Sequence, residues 1–168
     1  MPSHDSDPTT DAAPLEADVV RDRVAARVVL VDPDDRVLLV EGHDPARPQL
    51  GWYWFTVGGG VDEGESLAEA AVRETREETG LVLRARDLGP VVRTDVVEFA
   101  FEQWRLRQHQ HFFVVRVDAF EPDRTGWMDL EVRSQRGMRW WSPDELRSTS
   151  ATVYPHDLAA LVAAAIRE

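Results

Sequence analysis

Three glutamates, Glu74, Glu77 and Glu78, lie within the short stretch RETREETG. At about 100° per residue they fall in one sector of a helix, and at spacings i, i+3 and i+4 their carboxylates are neighbours. Like-charged pairs of this kind oppose helix formation. Glutamates in a last turn also oppose the helix dipole, which favours cations there. A divalent cation reverses the effect, because crowded hard oxygen ligands are what Mg²⁺ and Mn²⁺ bind. Taken alone, such a cluster is more often a solvated helix face than a metal site. Directly before the helix stand Gly58, Gly59 and Gly60. Bare backbone of this kind admits a ligand closely, although a glycine run alone also reads as a tight turn. A glycine loop, a helix start and three carboxylates joined in one stretch make a site suited to a diphosphate and a metal.

The elements that must hold these residues follow from local signals. Ser66 sits three residues before Glu69, the spacing of a capping box, so a helix is expected over Leu67–Thr79 with Gly80 as its stop. On the helical wheel Ala68, Val72, Thr75 and Thr79, with Ala71 at the edge, form the expected core face. Glu69, Arg73 and Arg76 lie roughly opposite. Upstream, Val24–Val31 and Arg36–Glu41 read as a strand hairpin around the turn Asp32-Pro33-Asp34-Asp35. Trp52–Val57 reads as a short strand ending at a glycine loop. Downstream, about Val91–Phe101 and Arg105–Ala119 read as a second antiparallel pair. Glu121–Gly137 reads as a polar loop, Met138–Trp141 as a short strand, and Ser142-Pro143 as a helix start. His156–Arg167 is the expected closing helix. The class is therefore α+β, a mixed sheet packed by helices.

The stretch GGVDEGESLAEAAVRETREETGL, Gly59 to Leu81, closely resembles the Nudix box, G-x5-E-x7-R-E-U-x-E-E-x-G-U, where U is a bulky aliphatic. Gly59, Glu65, Arg73, Glu74, Glu77, Glu78, Gly80 and Leu81 match in type and spacing. The departure is Thr75, on the core face, where an aliphatic is expected. Val57 also replaces the proline usual before the glycines. The resemblance extends loosely from about Ala25 to the closing helix, so residues 18–168 are expected to form a Nudix hydrolase domain with the α/β/α sandwich of that fold. It implies metal coordination by the Gly59 carbonyl, Glu74, Glu77 and Glu78. It further implies a Glu65–Arg73 salt bridge that holds the loop, with Gly58 and Gly60, against the helix. The implied activity is Mg²⁺-dependent hydrolysis, with Mn²⁺ as a possible substitute, of a phosphoanhydride in a nucleoside diphosphate linked to another group.

A carboxylate must take the proton of the attacking water. The family uses either a box glutamate or one from a later loop. Glu131 in TGWMDLEV is the favoured downstream candidate beside its reading as a solvated loop residue, and Glu98 and Glu102 are weaker ones. His109 and His111 share one strand face but have no third ligand in view. The aromatics Trp52, Tyr53, Trp54, Phe55, Phe99, Phe101 and Trp104 could stack on a base, although strand aromatics more often fill a core. Trp140 and Trp141 are expected to cover the sheet. Arg47 and Arg93 could meet phosphate or simply be surface arginines.

Subfamily marks are absent. Near Val96 and Val97 there is no proline of the ADP-ribose type, and Glu98 and Phe99 stand where a tyrosine marks dinucleoside-polyphosphate enzymes. Nucleoside triphosphates and nucleotide sugars stay open. The isopentenyl diphosphate isomerase of this fold relies on a cysteine, and this chain has none. A non-catalytic nucleotide sensor is the remaining alternative, though such domains usually lose box glutamates.

Composition narrows the partners. With a net charge of −12 and no lysine among 168 residues, the chain is poorly suited to long nucleic acids, which need many cationic contacts. A small phosphorylated substrate suits it better. No apolar run is long enough to span a bilayer. Residues 1–17 are polar and aperiodic, expected as a disordered acidic tail and unlike a secretory leader. A cytoplasmic location is the default expectation. Nudix enzymes often dimerise, and nothing in the sequence decides that point.

Overall fold

The computed structural model describes residues 19–167; the expected tail at residues 1–17 lies outside them. Seven strands form one mixed sheet: β1 (Val20–Val31), β2 (Val37–Gly42), β3 (Tyr53–Gly60), β4 (Arg93–Phe101), β5 (Trp104–Arg116), β6 (Gln135–Trp141) and β7 (Val153–Tyr154). Their order is β4-β5-β1-β2-β3-β7, with β6 paired to β2 and a further pairing of β1 with β3. The helices are α1 (Leu67–Thr79), α2 (Asp129–Ser134), α3 (Pro143–Ser148) and α4 (Leu158–Ala165).

Strand alternation builds two cores. Ala26, Val28 and Leu30 of β1 and Leu38 and Val40 of β2 face α1, where Ala70 and Ala71 meet them. Val29 and Val31, with Val37 and Leu39, face the opposite way against Leu158, Leu161 and Val162 of α4. A strand buried on both sides reads as a continuous apolar run, as VVLV and VLLV do here. The sheet is thus sandwiched between helices, as expected. Trp141 is buried in the second core and Trp140 packs on the first, so both tryptophans cover the sheet.

The central strand does more than form a hairpin. β1 meets β2 only at Val31↔Val37. It then runs parallel to β5 over its full length, Val20↔Arg105 to Val31↔Arg116, and antiparallel to β3 at Ala25–Val28. The β1–β2 turn is held by buried Asp32, whose carboxylate accepts from the Asp34 and Arg36 N–H groups at 3.0 and 2.9 Å.

Several expectations need correction. Gly58, Gly59 and Gly60 are strand residues of β3, not a loop. They pair with Arg27, Ala26 and Ala25, and the missing side chains are what allow the close approach described below. The span 121–137 is not all loop: it holds α2 and the start of β6. The closing helix begins at Leu158, beyond Pro155, and ends at Ala165. The two-residue strand β7 went unread. The buried face of α1 comprises Ala70, Ala71, Thr75, Glu78 and Thr79, rotated from the expected stripe so that Ala68 and Val72 are half-buried and a glutamate points inward.

Candidate active site

Helix α1 is fixed at both ends. The Ser66 hydroxyl accepts from the Glu69 N–H at 3.1 Å, and the Glu69 carboxylate accepts from the Ser66 N–H at 2.8 Å. Gly80 ends the helix in the left-handed region, φ 78°, and its N–H reaches the Arg76 carbonyl at 2.9 Å. The last carbonyls are met by the following loop: Asp123 N–H donates to Thr79 O and the Trp127 indole donates to Glu78 O, each at 2.8 Å. Thr75, the departure from the family pattern, is fully buried with its hydroxyl donating to Ala71 O at 2.7 Å. Its polar atom is satisfied inside the helix, so it fills the aliphatic position without an orphaned group.

The glycine strand passes directly over this helix. A Cβ on Gly59 would lie 2.6–2.7 Å from the Glu74 carboxylate, and one on Gly58 only 2.1 Å from Ala26 O. Gly58 also has φ 129°, a region costly for any side chain. Its N–H donates to Glu78 Oε2 at 2.8 Å. Gly58 O accepts from Arg27 Nη1 and Gly60 O from Arg73 Nη2, both at 2.9 Å. The strand is thus gripped from both sides.

Arg73 is the hub. Its Nε and Nη2 form a two-pronged pair with Glu65 at 2.7 and 2.9 Å. Its Nη1 reaches Glu74 at 2.8 Å and Glu77 at 3.3 Å. Hydrogen bonds from Arg73, then from the Asp62 N–H, pull the Glu65 carboxyl down to about 2. The Arg73 guanidinium is shifted in the opposite direction, chiefly by its bond to Glu65. The Glu65–Arg73 bridge that the resemblance implied is therefore present.

The three helix glutamates differ in setting. Glu77 is the most exposed of them. Burial raises the Glu74 carboxyl, against the pull of Arg73. Glu78 is 4% exposed, and burial pushes its carboxyl up to about 8 although Gly58 N–H and Arg27 oppose the rise. Glu74 and Glu77 meet at Arg73 Nη1, whereas Glu78 turns toward Gly58 and Gln135. Among the described residues no three acidic or histidine side chains already stand in metal-ligating array. The donor set fits a hard dication: three carboxylates on adjacent turns, two of them raised by burial.

Other candidates are placed elsewhere. Glu131 lies in the first turn of α2 and accepts from the Met128 N–H at 3.0 Å; no hydrogen bond joins it to the helix glutamates among the described residues. Glu98 pairs with Arg107 and Glu102 with Arg133, each at 2.8 Å. His109 contacts Asp22 and His111 contacts Thr94, so they form no metal pair. Arg47 is matched by Asp44, and Arg93 by Asp95 and Asp157. Trp54 packs edge-on against Trp141 in the core, while Trp52 is exposed beneath Arg136. Sequence reasoning missed Arg27, Arg23, Gln135 and Trp127. The arginines left one signal, Arg27 standing alone in the apolar half of β1 with Arg23 four residues before it; the other two depend on tertiary placement.

The NUDIX domain model matches residues 21–168. The chain is 39% identical over 54 residues to the uncharacterized Nudix hydrolase YvcI of Bacillus subtilis, spanning 30% of that protein. It is 47% identical over 66 residues to the RNA pyrophosphohydrolase of Caulobacter vibrioides, or 39% of this chain and 37% of the relative. It thus spans about a third of the length of these two relatives. A longer match, 32% identity over 141 residues, covers 76% of this chain and 80% of the RNA pyrophosphohydrolase of Erythrobacter litoralis. The fold of the E. coli dihydroneopterin triphosphate pyrophosphohydrolase superposes with TM-score 0.62 at 22% identity, covering 89% of this chain and all of that one.

Proposed function

The chain belongs to the NUDIX domain family, and on that premise we propose that it is a Mg²⁺-dependent hydrolase of phosphoanhydride bonds in nucleotide-type substrates. The observation that carries this reading is the corner where Glu74 lies against Gly59 and Glu78 lies buried beneath Gly58. Glu78, buried with no bonded cation, is costly to the fold, and beside Glu74 it suits a divalent ion with a phosphate chain.

Glu74, Glu77, Glu78 and the Gly59 carbonyl are the groups that would hold Mg²⁺ or Mn²⁺. Such an ion supplies the positive charge that crowded phosphate oxygens require and lowers the pKa of water. The protein's part is positional. Arg27 and Arg73 hold the carbonyls on either side of Gly59, so its backbone is set before substrate arrives. Glu65 keeps Arg73 oriented and the loop after β3 closed on α1. The proton of the attacking water goes to a carboxylate, either one of these box glutamates or one from a later loop. Glu131 is the downstream alternative, available if it leaves the α2 N-terminus.

The substrate class is a small phosphorylated molecule, with nucleoside triphosphates first. A 5′-triphosphorylated RNA end is the second reading, favoured by the relatives named RNA pyrophosphohydrolase and opposed by the net charge of −12. The test is turnover with Mg²⁺ on nucleoside triphosphates, 8-oxo-dGTP, ADP-ribose, dinucleoside polyphosphates, nucleotide sugars and a short 5′-triphosphate RNA. Cleavage to a nucleotide and the released pyrophosphate, phosphate, sugar phosphate or second nucleotide, lost in Glu77→Gln/Glu78→Gln, is the expected result. Release that persists in that variant contradicts the assignment. Binding of the same compounds without turnover would favour a nucleotide sensor.

A further inference from the structure

Glu77 and Glu78 stand in the weakest part of their helix. α1 ends at Thr79, so both belong to its last turn. The last carbonyls of a helix have no partner within it, and terminal turns fray. Adjacent like charges and the helix dipole both work against this turn. A metal site tolerates little play in its ligands, about 0.5 Å. Something outside the helix has to hold the turn.

The segment from Asp123 to Trp127 does so. Its bend is shaped from within: Thr125 N–H donates to Asp123 Oδ1 at 2.9 Å, and Trp127 N–H to Arg124 O at 3.0 Å. Arg124 ties it to the sheet. Its Nη1 donates to Arg136 O of β6 at 3.0 Å, and its guanidinium lies 5.3 Å from the Trp127 ring centroid. Gly126 then passes against the helix. A Cβ there would lie 2.6 Å from Glu77 O and 3.2 Å from Glu77 Cα, so the loop rests on the backbone of one glutamate. The Trp127 indole reaches the next, donating to Glu78 O at 2.8 Å. Further along, Gln135 Nε2 approaches the Glu78 carboxylate at 3.5 Å. Glu78 is thus held at its main chain and at its side chain. Gly80 and Asp123 already cap the helix through their N–H groups, on Arg76 O and Thr79 O. The indole adds a hold on Glu78 itself.

We propose that Trp127 is a positioning residue for the metal site: through Glu78 O, and with Gly126 against Glu77, it fixes where the last-turn carboxylates stand. This rests on the hydrolase reading above. In this role Trp127 touches neither metal nor substrate. Groups that orient ligands from behind govern metal affinity as well as fold. Trp140 supplies a matched control. Its indole donates to Phe120 O at 3.1 Å beside the core packed on α1, and it bonds no helix glutamate among the described residues.

The test compares Trp127→Phe with Trp140→Phe in the full chain, each losing one indole N–H. The readouts are Mn²⁺ affinity of the nucleotide-free protein by electron paramagnetic resonance, kcat and KM with Mg²⁺ on the best substrate of the panel, and the melting midpoint. Trp127→Phe should weaken Mn²⁺ about tenfold and lower kcat about tenfold, with KM changed by less than about twofold. Trp140→Phe should lower the melting midpoint and leave Mn²⁺ affinity and kcat as in wild type. Gly126→Ala crowds Glu77 O and keeps the indole. It should reproduce the loss of Mn²⁺ affinity, and it carries the test if Trp127→Phe does not fold. Wild-type Mn²⁺ affinity in Trp127→Phe overturns the proposal, as does an equal loss in Trp140→Phe. A wild type that binds no Mn²⁺ overturns the hydrolase reading together with it, whereas a metal-binding, active wild type matched by Trp127→Phe overturns this proposal alone.

Discussion

The two halves of α1 treat charge in opposite ways. Around its first two turns acids and bases are matched: Glu69 caps Ser66, and Glu65 takes both prongs of Arg73. Around its last two turns Glu78 is buried against Gly58 N–H with no bonded cation, and Glu74 shares one arginine nitrogen with Glu77. The first half resembles an ordinary stabilising network. The second is a net expense to folding, tolerated only where something else gains. The contrast teaches which carboxylates serve the fold and which await a ligand.

Removing a carboxylate should therefore have opposite consequences in the two halves. The largest effect expected is on turnover: Glu77→Gln or Glu78→Gln should each lower kcat by at least about a hundredfold, measured with the best substrate of the panel, while leaving the fold intact. Next comes Arg73→Ala, which frees Glu65, Glu74 and the Gly60 carbonyl together. It should lower stability by about 2–3 kcal/mol, read from urea denaturation. Glu65→Ala should follow in the same direction. If Glu78→Gln destabilises as much as Glu65→Ala, the contrast between the halves is wrong.

A pH series sharpens the comparison. Glu78 holds its proton in the folded chain up to about 8 against an ordinary value of 4.5, whereas the unfolded chain releases it earlier. Metal-free stability should then fall as pH rises from about 4.5 through about 8, and Glu74 is shifted in the same direction. Melting midpoints across that range should flatten in Glu78→Gln. Glu65, held at about 2, contributes instead a loss of stability near the acid end. The smallest effect is expected at Thr75→Val. The hydroxyl bond to Ala71 O is local to the helix, so stability should change by no more than about 1 kcal/mol.

Much of this was legible in sequence because it is local. The α1 boundaries follow from Ser66, Glu69 and Gly80, and the β4–β5 pair from two long strand-like runs. The Glu65–Arg73 link came from resemblance and stands in the structure. What sequence could not give depends on packing between distant segments. Gly58 to Gly60 read as a loop because glycine runs usually do; only the approach of Ala26 and Glu74 shows why a strand here must be bare. Glu78 looked like one of three equivalent ligands until its burial under β3 set it apart. Trp127 carried no motif and reaches Glu78 only because the loop before α2 folds onto the end of α1.

The most direct test of the uncompensated corner is calorimetric titration of the metal-free protein with Mn²⁺ at neutral pH, in buffers of different ionisation enthalpy. A dication held by Glu74, Glu77 and Glu78 must displace the proton that burial keeps on Glu78. Binding with proton release, both reduced in Glu78→Gln, is the result expected. Absence of binding, or binding of equal strength and proton yield in Glu78→Gln, would contradict the assignment of this corner as the metal and catalytic centre.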